Sequence, residues 1–234
     1  RMSDGSWATP YDPMESIHIV GDFSEGNGWQ YTFLVPQDPE GLIELLGGDN
    51  KFTDKLDSLF TITGDMGEHA SADITGLIGT YAQGNEPCHH MAYLYAFAGE
   101  QWKTAEKIRY ILNKFYTNKP DGLIGNEDCG QMSAWYVMSS LGFYPVNPSN
   151  GVYVFGSPLF DKATISLPDG KTFVVETVNN SKENIYIQSV ELNGQPYSKS
   201  YITHQDIMAG GALKFGMGNT PNYNFGSSYK DRPK

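Results

Sequence analysis

The chain has 234 residues, enough for one large core or two modest ones. Only 18% of residues are charged, 13% are aromatic, and there are 26 glycines and 13 prolines, which excludes a coiled coil or a disordered chain. A net charge of −11 with no Lys/Arg cluster repels phosphate backbones and excludes nucleic acid as an expected partner, whereas 27 carboxylates and 15 tyrosines suit a neutral polar ligand or a hard cation.

In chain order, the first 25 or so residues are aromatic and proline-rich and predict no element. Gly28 to Val35 leads to Pro36, and Pro39 to Leu46 reads as a short helix closed by Gly47-Gly48. Thr53 to Phe60 follows, with Phe52, Leu56, Leu59 and Phe60 at helical spacing, and Ile74 to Tyr81 continues that pattern. His89 to Ala98 is the clearest apolar helix, stopped at Gly99. Thr104 to Tyr116 carries a stripe of Ala105, Ile108, Ile111, Leu112 and Phe115, and Met132 to Leu141 ends at Gly142 and Pro145. Near residue 145 the pattern turns strand-like. Ala163 to Leu167 and Thr172 to Val178 alternate around the turn Pro168-Asp169-Gly170-Lys171; Tyr186 to Leu192 precedes Asn193-Gly194, and Gly211 to Met217 is a last strand. This half is expected to be antiparallel. No run of 18 apolar residues exists, so no membrane span is expected. The opening Arg-Met-Ser-Asp-Gly-Ser-Trp does not read as a natural start, so any targeting segment is expected upstream. Cys88 and Cys129 are too few for a disulfide framework; they read as free thiols in neighbouring loops, with one bridge as the alternative.

Four loop segments concentrate functional side chains: Ser24 to Tyr31, Glu68-His69, Gly84 to His90 and Gly125 to Gln131. Amides and carboxylates there can take paired hydrogen bonds from vicinal hydroxyls, and Trp or Tyr faces can cover the C–H side of a sugar ring. Taken singly, an Asp or Glu ahead of a helix reads as a cap or dipole partner. Four loops of similar composition shift the reading toward a sugar site. His89-His90 is not zinc-like: adjacent histidines face different sides of a helix, and the spaced His/Cys set is missing. Trp135 and Tyr136 divide evenly between core and site.

The runs Glu25-Gly-Asn-Gly-Trp-Gln-Tyr31, Asp73-Ile-Thr-Gly76, Gly84-Asn-Glu-Pro-Cys-His-His90, Gly125-Asn-Glu-Asp-Cys-Gly-Gln-Met-Ser-Ala-Trp-Tyr136 and Gly142-Phe-Tyr-Pro145 resemble glycoside hydrolase family 92. Gly156 to Phe160 and Asn193-Gly194 resemble its C-terminal part. The resemblance implies a mainly α chain with a β-rich C-terminal part. Residues 1–148 would form the later portion of an (α/α)6 barrel, 149–226 an antiparallel β-sandwich-like region, and 227–234 a loose tail. N-terminal segments of a longer parent protein would complete the site.

By the same resemblance the activity is that of an exo-acting, inverting α-mannosidase on mannose-containing glycans, helped by calcium and located outside the cytosol. Glu25 matches the general acid and Asp128 the general base. Where many members carry a second Asp, this chain has Asn126, which concentrates the base role on Asp128. Glu86 and, less directly, Asn85 match the metal position. Trp29, Gln30, Asn126 and Glu127 are expected to contact substrate, as are Glu68 and His69 near the leaving-group sugar, which points to α-1,2 linkages. Two alternatives remain at this stage: a sugar-binding fragment without turnover, and a metal-free (α/α)6 glucosidase.

Overall fold

The computed structural model describes residues 2–17 and 21–234. Helix α1 (Gly28–Phe33) starts on a capping box: Asn27 accepts from the Trp29 and Gln30 amides, and Gln30 reaches back to the Asn27 amide. Helix α2 (Pro39–Leu45) has Pro at its start and Asp38 as its cap, and ends at Gly47 and Gly48, both with positive φ. Helix α3 (Asp49–Leu59) begins four residues before the expected Thr53.

Two expected helices are corrected. Ile74 to Tyr81 forms a small hairpin, β1 (Leu77–Ile78) paired with β2 (Tyr81–Ala82). Gly79 at the turn has φ +61°, and a Cβ there would lie 2.5 Å from the Phe60 backbone. The backbone of α3's end therefore occupies the space a helix would need. His89 to Ala98 is a 3₁₀ segment, Met91–Ala96, every residue of which is buried. A segment enclosed on all sides carries no periodicity from which to tell α from 3₁₀. It lies in the middle of the first core, among Phe33, Phe52, Leu56, Ile108 and Trp135.

Helix α4 (Gln101–Phe115) lays its apolar stripe on that segment, and α5 (Gln131–Leu141) ends in left-handed Gly142. The chain then enters β3 (Phe143–Tyr144), β4 (Val152–Phe155), β5 (Lys162–Ser166), β6 (Thr172–Val178), β7 (Tyr186–Leu192), β8 (Gln195–Pro196), β9 (Tyr201–Thr203), the short α6 (His204–Met208) and β10 (Gly211–Gly218). The larger sheet has the order β5-β6-β10-β7-β8, the smaller β3-β4-β9. The expectation of a purely antiparallel sheet is corrected: β10 inserts between β6 and β7 and runs parallel to β6. Inward residues of both sheets, including Phe155, Phe173, Leu213 and Phe215, make a second core. Each such side chain contributes roughly 1.5–3 kcal/mol on burial.

Arg109 ties the two cores together. Its buried guanidinium donates to Ser157 Oγ, Ser181 O, Pro158 O and Asn180 Oδ1, all beyond the helical part. Burial without a carboxylate partner lowers its pKa to about 10. The tail, expected to be loose, is fastened. Arg232 pairs with Asp49 at 2.8 Å, Lys234 with Glu40 at 2.7 Å, and Asp231 O accepts from Ser200 N.

Candidate active site

The segments carrying Glu25, Glu86 and Asp128 are brought together by backbone contacts. Tyr31 OH accepts from Ser24 N at 3.2 Å and donates to Ser24 O at 2.7 Å, folding the loop before α1 back over the helix. Glu25 sits on that loop at φ +52°. Its carbonyl accepts a 2.8 Å hydrogen bond from Asn85 Nδ2, which joins the first loop to the Gly84–His90 segment.

The third loop packs against the second through glycine. Gly125 has φ +79°, and a Cβ there would lie 2.4 Å from Gly84 O. Asp128 and Cys129 follow at φ +45° and +58°, then Gly130 at +90°. Among described residues the non-glycine positions with positive φ are Glu25, Asp128, Cys129, Asp169, Asn179 and Asn193. Asp and Asn adopt this conformation readily in turns, but two consecutive left-handed non-glycine residues are strained. Such strain persists where surrounding structure over-determines the backbone, and it concentrates at functional sites. Asp128 lies in such a pair, and Glu25 is a single left-handed non-glycine residue.

Electrostatics shows the convergence. Glu86 is solvent-exposed as a residue, yet the protein around its carboxyl strips away enough water to raise its proton affinity above the ordinary carboxylate value. The charges of Asp128 and Glu25 act in the same direction. Three carboxyl groups from three loops well separated in sequence therefore share one field. Beside them, Asn85 Oδ1 is buried and has no hydrogen-bond partner. An unpartnered amide oxygen and crowded carboxylates are hard oxygen donors, the chemistry calcium takes. Among described residues no three His, Cys, Asp or Glu side chains form a metal-holding group. The donor set thus fits calcium in kind.

Residues 1–219 match the model of the glycosyl hydrolase family 92 catalytic domain. The chain belongs to glycosyl hydrolase family 92. Over its whole length it is similar to a solved family GH92 α-mannosidase from Bacteroides thetaiotaomicron in complex with mannoimidazole, at 44% identity and a TM-score of 0.94, spanning 31% of that chain. A GH92 inverting mannosidase from the same organism is 38% identical over 98% of this chain, with a TM-score of 0.84, and 32% of its own length is covered. A protein of Arthroderma benhamiae described as an uncharacterized secreted glycosidase is 33% identical over the full chain, which spans 29% of it. The chain thus covers about three tenths of the length of these relatives.

Within this family 92 chain the remaining expected residues divide clearly. Asn126 is exposed, two residues before Asp128, and donates to Asp73 Oδ1 at 3.4 Å. Glu127 caps α5, accepting from Ser133 N at 3.1 Å. Gln30 is 2% exposed, and its amide is used at both ends, by Asn27 N and Thr80 O, which ties α1 to the β1–β2 hairpin. Trp29 packs against the first core with Lys55 Nζ 4.4 Å from its ring centre, so a cation from α3 already takes one of its faces. Glu68 and His69 lie exposed on a turn of their own. Trp135 is core, fully buried, with Nε1 donating to His89 O. His89 and His90 are buried and neutral: burial lowers each to about 4, and their Nε2 atoms donate to Gln83 O and Phe33 O. Cys88 is buried and Cys129 exposed, both as free thiols.

Sequence reasoning missed three residues. Asp73, held by Ser71 Oγ at 2.8 Å, faces Asn126. Gln83 joins Tyr81 and Tyr116, and Gln131 joins His89 and Tyr144. The available signal was a glutamine beside glycine in each motif, Gln83-Gly84 and Gly130-Gln131, where a long amide can bridge from a turn.

Proposed function

We propose that this chain carries the acid and the base of an inverting α-mannosidase, acting as part of a full-length protein about three times its length. The observation that carries the reading is the convergence of Glu25, Glu86 and Asp128 in one electrostatic field. Glu25 protonates the glycosidic oxygen as its bond to the anomeric carbon breaks. Asp128 takes a proton from a water molecule attacking that carbon from the opposite face, and the configuration inverts. Such a pair works at a separation of about 6.5–9.5 Å, which leaves room for the water. Asn126, beside the base, helps hold that water.

Glu86 and Asn85 Oδ1 would hold a calcium ion, and its chemistry there is to bind sugar hydroxyls and strain the ring toward a planar, oxocarbenium-like shape. The helical part of the chain is read as the later portion of an (α/α)6 barrel. The Arthroderma relative, described as secreted, supports a location outside the cytosol. Terminal α-1,2-linked mannose is the preferred substrate. Mannose release from α-1,2-mannobiose, abolished by EDTA and restored by calcium, is the expected result with the full-length protein. Binding of mannose without release would select a sugar-binding module instead, and EDTA-insensitive release of glucose would overturn the assignment.

A further inference from the structure

Gln131 opens α5 directly after the left-handed run at 128–130. Its position is set by one buried residue. His89 Nε2 faces Gln83 O at 3.0 Å, and a carbonyl only accepts, so Nε2 carries the proton and Nδ1 is a bare acceptor. Gln131 Nε2 donates to that Nδ1 at 3.1 Å and to Tyr144 OH at 3.1 Å. One turn further along, Trp135 Nε1 donates to the carbonyl oxygen of the same His89 at 3.0 Å. Residues four apart lie on one helix face. Helix α5 is therefore registered twice on a single residue that is 1% exposed. The backbone carries this register to the preceding loop, since Gln131 N donates to Asp128 O at 3.1 Å and Met132 N to Glu127 O at 3.3 Å. Asp128 and Cys129, both left-handed, relax unless the start of the helix is held.

We propose that Gln131 and His89 are the positioning residues of the base: their hydrogen bond fixes the first turn of α5 and thereby the Asp128 carboxylate. This rests on the reading of Asp128 as general base. A general base displaced by about 1 Å loses on the order of 100-fold in rate, while ground-state binding is largely untouched.

The test compares four variants of the full-length protein on an activated aryl α-mannoside. Gln131→Glu keeps shape but its carboxylate cannot donate to a bare Nδ1; kcat should fall about 10–100-fold with KM within about threefold. The two His89 variants separate positioning from packing. His89→Asn presents its side-chain oxygen where Nδ1 accepts, and should retain about tenfold more kcat than His89→Gln, which presents nitrogen where Nε2 donates. A purely structural role would lower both equally, in step with their melting temperatures, and that result would overturn the proposal. Gln131→Glu turning over like wild type while Asp128→Asn is inactive would overturn the positioning role alone. Turnover retained in Asp128→Asn would overturn the base assignment and the proposal with it.

Discussion

The paired histidines make stability depend on pH in a direction and by an amount that can be worked out. Burial holds His89 and His90 neutral, each with its pKa lowered to about 4 against an ordinary value near 6.5. In the unfolded chain both imidazoles take up protons as pH falls below 6.5, while the folded ones do not. Folded stability is thus full above pH 6.5 and is lost as pH falls toward 4. At pH 5 the loss is about 2 kcal/mol per histidine, approaching about 3 kcal/mol below pH 4. His90→Gln isolates one contribution, because its amide nitrogen can still donate to Phe33 O. Urea unfolding of the full-length wild type and variant at pH 8, 6.5 and 5 makes the comparison; carboxylate titration is common to both and cancels. The variant should lose about 2 kcal/mol less than wild type between pH 8 and pH 5. Equal losses, or an imidazole resonance of His90 titrating near 6.5, would refute the reasoning.

Gly125→Ala would place a Cβ 2.4 Å from Gly84 O at φ +79°, so the two loops must part. A stability loss of at least about 2 kcal/mol with severely reduced turnover is expected, and an unchanged melting temperature would contradict the close approach. Arg109→Met leaves four acceptors on the β-side loops, those of Ser157 and Pro158 buried and those of Asn180 and Ser181 half-buried, without their donor. It should cost about 3 kcal/mol in chemical denaturation, and a neutral effect would show that the guanidinium does not join the two cores. Arg232→Ala removes the ion pair with half-buried Asp49. It should cost about 1 kcal/mol at low salt, and a loss near zero would return the tail to a minor structural role.

How far the site could be read from sequence depended on which force shaped each segment. The loops bearing Glu25, Glu86 and Asp128 were legible because glycine, asparagine and proline mark backbone turns whatever the surroundings. Strands at Thr172–Val178 and Tyr186–Leu192 were legible to the residue: one buried face imposes alternation on the first, and the Asn193-Gly194 turn marks the end of the second. Packing hid the rest. Ile74, Ile78 and Tyr81 share helical spacing, but Gly79 is pinned against α3. The parallel pairing of β10 with β6 leaves no mark in alternation, which is the same for either direction. Glutamine hubs were illegible for a related reason. Gln30 sits in a motif that suggests sugar contact, and only the position of Thr80 O, fifty residues away, shows its amide to be occupied.

Substrates with poor and with good leaving groups depend unequally on Glu25. Glu25→Gln in the full-length protein should slow hydrolysis of α-1,2-mannobiose by about 10²–10⁴-fold, because its leaving oxygen needs a proton. An activated aryl α-mannoside, whose leaving group departs unprotonated, should lose less than about tenfold. Comparable losses on the two substrates would contradict Glu25 as the acid, and with it the pairing of Glu25 and Asp128 around the scissile bond.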